Sequence, residues 1–330
     1  MMGAIMLRRD EGGTQVHDLC VGQVAGNERI CREHLRLEIE LPRFGRAVPG
    51  QFVELLCGEA AEVCQPARHE WAGDELPQLE GTEVSQRVAL LRRPFSIAQL
   101  RDGSDQGRKR IELIYRVVGP GSRWMERLRT PQCVSILGPL GNGFDICDGK
   151  PLAWLISGGI GVAPLIWLAQ ELKQVGKEVV AFCGARSADL MPLRSTEVAS
   201  NVREPLTPSM RYREYAGSGV GVVAATDDGS AGYRGLVSEA MAEYARRHVE
   251  QKDQVVVYAC GPEPMLEAVG GFCREEGMDL QVCVERMMAC GLGTCQSCVV
   301  RVRDDASEEG WRYALACVDG PVFDGAEMVW

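Results

Sequence analysis

The chain has 330 residues, too many for one small domain. At 45% hydrophobic and 25% charged it can bury a core without relying on disulfides. A net charge of −10, from 36 basic against 46 acidic residues, argues against nucleic acid as the main partner. The start has too few apolar residues before Arg8-Arg9 for a signal peptide, and the longest apolar stretch, Leu152 to Ala169, is broken by Gly158, Gly159, Gly161 and Pro164, so a cytoplasmic protein is expected.

From Thr14 to Leu137 the pattern is short strands and turns. Arg36 to Leu41 alternates polar and apolar residues, Gln51 to Leu56 follows a Pro49-Gly50 turn, and Ile111 to Val118 stops at Gly119-Pro120-Gly121. Strands at this spacing predict a small β-barrel. The stretch Gly58 to Gln86 is polar and Glu-rich, with Pro66, Gly73, Pro77 and Gly81, and predicts a long surface loop. From Lys150 the rhythm changes. Apolar runs at Leu152–Ser157, Glu178–Cys183, Val220–Ala225 and Gln254–Ala259 alternate with helical stretches, which predicts βαβ units and a parallel sheet. Arg194 to Ser218, with Pro205 and Pro208, predicts a second loop insertion.

Of fourteen cysteines, four stand together late in the chain: Cys290, Cys295, Cys298 and Cys317. Their spacing is C-x4-C-x2-C with a fourth eighteen residues on, the plant-type pattern for a [2Fe–2S] cluster. Gly291 and Gly293 would let backbone amides face the sulfurs. A four-cysteine zinc site is the main alternative, although such sites usually pair two C-x2-C knuckles and this chain has one.

Other motifs point to nucleotides. Gly158, Gly159, Gly161 and Pro164 lie between an apolar strand and a helix, where glycines and helix N–H groups can approach a pyrophosphate; a plain tight turn is the alternative. Cys260, Gly261 and Pro262 follow another strand, so Cys260 is either a small polarisable neighbour of a flat ring or a core thiol. Asp227 and Ser230 could bind a ribose or simply make a polar turn. In the barrel region Arg93 could hold a diphosphate and Ser96 could reach a flavin ring, with Pro94 and Phe95 between them. Cys57, Cys64 and His69 match no metal spacing, and His17, His34, His69 and His248 suggest no acid–base or Cys–His pairing.

Taken together the motifs resemble the ferredoxin–NADP reductase superfamily, and within it the electron-transfer subunits of NAD-linked dihydroorotate dehydrogenases. Arg93-Pro94-Phe95-Ser96 and Ile114-Tyr115-Arg116 with Gly121-Ser122 resemble that family's FAD motifs, and Gly138 to Phe144 its hinge. Gly159 to Leu165, Thr226 to Ser230 and Cys260-Gly261-Pro262 resemble its nucleotide half; Glu285 to Gly291 and Cys317 to Phe323 are the most specific. The resemblance implies a multidomain β plus α/β protein. It would have an FAD-binding β-barrel over residues 14–148, a Rossmann-like NAD domain over 149–284 and a small [2Fe–2S] domain over 285–330. It implies three cofactors, FAD, a [2Fe–2S] cluster and NAD. It also implies a separate catalytic subunit carrying FMN, in a two-plus-two heterotetramer, that oxidises dihydroorotate in pyrimidine biosynthesis, with the cluster loop Met287 to Val299 at the interface. This chain shows no catalytic residue for dihydroorotate. Two other readings stand beside it: a related reductase serving a ferredoxin or sulfide partner, and a zinc-stabilised nucleotide-binding regulator.

Overall fold

The computed structural model describes residues 5–7, 15–58, 91–103, 107–196 and 204–330, those at 5–7 and 15–18 by backbone alone. The predicted long loop lies almost wholly outside the described residues, as do Cys64 and His69. Strand β1 (Ile5–Leu7) pairs with β2 (Gln15–Arg29). Then follow β3 (His34–Leu41), β4 (Phe52–Leu55), β5 (Arg93–Asp102), β6 (Lys109–Arg116) and β7 (Cys133–Leu140). Their order is β1-β2-β3-β6-β5-β4-β7, and β2 also pairs with β7, closing a six-stranded barrel. On β3 the period is visible in burial: Leu35, Leu37, Ile39 and Leu41 point inward. Helix α1 (Pro120–Glu126) plugs one end, with Met125 fully buried in the barrel core.

The second unit is a parallel sheet. Its strands are β8 (Leu152–Gly158), β9 (Glu178–Ala185), β10 (Gly221–Thr226), β11 (Tyr233–Arg234), β12 (Val255–Gly261) and β13 (Asp279–Val284). Helices α2 (Val162–Gln174), α4 (Val237–His248) and α5 (Glu263–Glu276) cover it, with a short α3 (Arg213–Ala216). Every residue of β12 is buried, as expected of a central strand covered on both faces. The order β11-β10-β9-β8-β12-β13 reverses between β8 and β12. That places a ligand crevice at the carboxyl ends of those two strands.

The cysteine segment adds a hairpin, β14 (Val299–Arg303) and β15 (Trp311–Leu315), and then β16 (Val322–Asp324). The last of these pairs antiparallel with β13, so the tail is sewn into the nucleotide sheet. Asn142, in the hinge, clasps it: its amide donates to the Val322 carbonyl at 2.8 Å and accepts from the Val322 N–H at 3.0 Å. The predicted Arg194–Ser218 insertion holds α3, whose Glu214 side chain is fully buried between Arg36 of the barrel (3.0 Å) and Arg194 (3.1 Å). That stretch thus pins the two units together. Among the described residues no helix is long and apolar enough to cross a membrane.

Candidate functional site

At the carboxyl ends of β8, β9, β10 and β12 lies a cavity of about 580 Å³. It is lined by Gly158, Gly159, Arg186, Asp227 and Pro262, with Arg116 and His34 reaching in from the barrel. The glycines of the turn do different work. Gly159 has φ +53° and open space where a Cβ would stand, so its backbone faces the cavity. A Cβ on Gly161 would lie 2.1 Å from the Cys260 carbonyl oxygen, so that glycine lets two chain segments touch. Pro164 lies in the first turn of α2, where its missing N–H leaves no bond unmade. Gly261, at φ +151°, packs against Gly158. Asp227 faces the cavity, whereas the Ser230 hydroxyl accepts from Ala188 N–H at 2.8 Å and donates to Asp228 at 2.6 Å, shaping the rim.

A second cavity, about 400 Å³, lies between barrel and sheet. Pro94, Phe95, Ser96, Ile114 and Tyr115 form its barrel wall; Gly161, Pro164 and Cys260 form the opposite one. Size and lining fit a flat ring system: apolar faces with a few polar groups. Phe95 meets Tyr115 edge-on at 6.3 Å, and Tyr115 donates to Asn27 at 3.0 Å, which fixes that wall. Arg93 lies outside this cavity. Its stem runs past Gly121, where a Cβ would sit 3.4 Å from Arg93 Cγ, at the start of α1. The Ser122 hydroxyl holds that turn by accepting from Val118 and Gly119 N–H at 2.9 and 3.0 Å. Arg93, Gly121 and Ser122 therefore gather at one end, suited to a diphosphate, and the other barrel residues at the ring end. Cys57 is a core thiol beside Gly121, pushed up to about 12 by burial.

The four late cysteines form two interacting pairs, Cys290 with Cys295 and Cys298 with Cys317, and Cys290 also acts on Cys317. Two thiols for each of two irons is the donor set a [2Fe–2S] cluster requires. Backbone N–H groups already aim at the sulfurs: Leu292 and Cys295 at Cys290 Sγ, both 3.4 Å, and Gly293 at Cys317 Sγ, 3.2 Å. The loop reaches this shape through positive φ at Gly291 (+69°) and Gly293 (+82°). Ser297 hydrogen-bonds the exposed Cys295 and holds its thiol down to about 6, while burial pushes Cys317 up to about 12. Cys298 and Cys317 are buried, so the Cys290–Cys295 side is the one nearer the surface.

Two residues that the sequence did not single out belong to this region, Glu54 and Cys31, and a third, Glu285, stood there only as the first residue of the Glu285–Gly291 motif. Glu285 is exposed and lines both cavities; the protein gathered around it raises its carboxyl above the ordinary value. Glu54, on β4, is fully buried with no hydrogen-bond partner for either oxygen among the described residues, and burial pushes it up to about 7. It lies where a Cβ on Gly291 would collide with its Cγ at 2.8 Å, so barrel and cysteine loop meet there. Contrary to the sequence expectation, a Cys–His contact exists: Cys31 Sγ lies 3.1 Å from His34 Nδ1. Their three-residue separation across a turn was the available signal. Burial raises the thiol and lowers the imidazole to about 4, so this is a neutral pair, not an activated nucleophile.

A pH dependence follows. The folded His34 titrates below its ordinary 6.5, so the unfolded chain binds the extra proton between those values. Its contribution is complete above pH 6.5 and lost as pH falls towards 4, in total about 3 kcal/mol. Urea unfolding at pH 7.5 and 4.5 should show wild type losing more stability than His34→Gln by that order; parallel losses would refute it.

Comparison with known proteins places these features. Residues 285–329 match the family model for the iron-sulfur cluster binding domain of dihydroorotate dehydrogenase B, and residues 155–270 match the oxidoreductase NAD-binding domain. The chain is 31% identical over 296 residues to the electron transfer subunit of dihydroorotate dehydrogenase B (NAD(+)) from Desulforamulus reducens, covering 89% of this chain and 92% of that one. The subunit of the same name from a Geobacillus species is 34% identical over 248 residues, 74% of this chain and 83% of its own. In fold, the chain is similar to an NADH-dependent reduced ferredoxin-NADP oxidoreductase, with a TM-score of 0.68, 23% identity, and coverage of 94% of this chain and 90% of that one. It is also similar to a cytochrome P450 reductase from Amycolatopsis, with a TM-score of 0.54, 23% identity, and coverage of 82% and 70%.

Proposed function

Because the chain belongs to the family of electron-transfer subunits of dihydroorotate dehydrogenase B, we propose that it carries electrons from a dihydroorotate-oxidising catalytic subunit, by way of a [2Fe–2S] cluster and FAD, to NAD⁺. The observation that carries this reading is adjacency. The dinucleotide cavity and the ring cavity share Arg116, Ile160 and Glu285 as a common wall. Met288, two residues before Cys290, lines the ring cavity on another side. The three sites therefore form a series with the flavin position in the middle. When bound, FAD exchanges electrons in pairs with nicotinamide and singly with the cluster, a conversion that neither can make directly.

The chain's own residues bind, orient and enclose. Cys290, Cys295, Cys298 and Cys317 would hold the cluster, with the loop amides stabilising thiolate charge. Phe95, Ser96, Tyr115 and Cys260 would frame the flavin ring, and Arg93 with the start of α1 would take its diphosphate. Gly158, Gly159, Asp227 and Pro262 would receive the dinucleotide. Arg116 is pre-set by Glu33 at 2.6 Å.

The partner we propose is a catalytic chain carrying FMN, two copies with two of this one. The names of the relatives, each a subunit, support a partner. So does the surface beside the cysteines: Met287 is 87% exposed and Val299 is exposed, whereas Leu292 and Met288 pack inward against the core. Met287 is thus the better probe of the contact. Affinity purification of this chain should retain a dihydroorotate-oxidising flavoprotein, and Met287→Asp should weaken that retention. Recovery of the chain alone from cells that make both would refute the assignment.

A further inference from the structure

Cys260, near the end of β12, and Cys283, near the end of β13, are paired positions of two adjacent parallel strands, so both side chains leave the sheet on the same face. Both line the ring cavity, and they are 3% and 2% exposed. The Cys260 thiol donates to Cys283, and that bond together with burial holds it far above the ordinary thiol range. The cavity wall thus carries two neutral thiols side by side. The proposed electron path uses Cys260 only as a flank of the ring and Cys283 not at all. Neighbouring strands stand about 4.8 Å apart, whereas a disulfide draws its two Cβ atoms to about 3.8 Å. A direct bond would pull β12 and β13 together; one atom bonded to both sulfurs would not.

We propose that Cys260 and Cys283 form a two-thiol site for trivalent arsenicals in the wall of the ring cavity, open to them from the cavity and closed when FAD fills it. The shielding rests on the flavin reading of that cavity; the site itself rests on the strand pairing. In the step, an arsenical oxide R–As=O loses its oxygen. Two As–S bonds form, the As–O double bond breaks, and the two thiol protons leave with the oxygen as water. Arsenic stays trivalent, so no oxidant or reductant is needed. A reagent that needs one thiolate meets two thiols that burial keeps protonated and reacts slowly. A centre that takes both sulfurs gains its second bond within one molecule, which favours it over any single thiol of the chain.

The test treats the full chain, its cluster assembled, with phenylarsine oxide, both with FAD bound and after FAD is dialysed away. Mass spectrometry of the peptides locates the arsenic, and iron content shows that the cluster cysteines stay occupied. In the FAD-free wild type, one phenylarsenic group should bridge the peptides of Cys260 and Cys283, and FAD uptake by the labelled chain should then fall about tenfold or more. Bound FAD should slow the labelling by about tenfold or more, as expected of a filled cavity. In Cys283→Ser the bridge should be lost; Cys283→Ala is the second variant, and the thermal midpoint of each shows whether it folds. Iodoacetamide, which takes one thiol, should modify neither residue at a comparable rate. No arsenic on these two cysteines in the FAD-free wild type, or labelling of Cys260 undiminished in both folded variants, would overturn the site. Labelling equally fast with FAD bound would overturn the shielding and leave the chain a flavoprotein. A chain that retains no FAD at all would overturn the flavin reading and the shielding with it, while the bridged peptides would still establish the two-thiol site.

Discussion

Cys298→Ser is expected to abolish the electron paramagnetic resonance signal of the reduced [2Fe–2S] cluster and most of the bound iron, while FAD remains. Cys298 is buried, 1% exposed, and its thiol interacts with that of Cys317, itself 3% exposed. The pair shares its buried cluster with Val300 and Ala316, apolar neighbours that offer no substitute ligand. A serine oxygen is a harder donor on a shorter bond, poorly matched to iron–sulfur ligation. The barrel residues that would frame FAD lie on other elements, so flavin retention is the internal control. Cys133, exposed on β7, supplies a second: Cys133→Ser should leave iron content unchanged. Stoichiometric zinc without iron in anaerobically prepared wild type would overturn the cluster assignment and favour a zinc site.

The second large effect is expected at Gly161. Its φ of −58° suits any residue, so conformation does not require glycine there. Contact does. A Cβ would fall 2.1 Å from the Cys260 oxygen and 2.8 Å from the Gly261 nitrogen, both backbone atoms that cannot swing away. In Gly161→Ala the turn after β8 and the end of β12 must part. Overpacking of this kind typically costs about 1–3 kcal/mol. The same displacement moves Ile160, which lines both cavities, so NAD⁺ affinity should fall by about tenfold or more alongside. Gly159→Ala makes the contrast. Its φ of +53° penalises a side chain by about 1 kcal/mol, but nothing stands within 4 Å of the new methyl. Thermal unfolding and NAD⁺ titration of both variants check this. Gly161→Ala with wild-type midpoint and affinity would show that the close approach is relaxed in solution.

Much of this was legible beforehand because it is written in local pattern. The period-two run at Arg36–Leu41 and the continuous apolar run of β12 announce a half-buried and a fully buried strand. The cysteine spacing announces itself whatever surrounds it. What was not legible depends on distant segments meeting. The barrel closes because the 15-residue β2 pairs with both β3 and β7, and no single window of sequence shows two partners. Strand β16 has three residues, too few for any period, yet its pairing with β13 anchors the cysteine segment. Gly161 and Gly159 look alike in sequence; the neighbour at 2.1 Å separates them. Glu285 opens the motif Glu285–Gly291, but only the shared wall of two cavities gives its carboxylate a setting. His34, alone on an alternating strand, read as nothing until Cys31 was found against it.

The central claim is that this chain moves electrons between a dihydroorotate-oxidising partner and NAD⁺ without performing the oxidation itself. The direct measurement is formation of NADH, followed by its absorbance, from dihydroorotate and NAD⁺. It is made with this chain alone, with a family catalytic subunit alone, and with the two reconstituted together. The expected result is NADH only in the mixture, with the chain alone still oxidising NADH when an artificial dye accepts the electrons. NADH formed from dihydroorotate by the isolated chain, or none formed by a complex whose FAD and iron are fully loaded, would contradict the account.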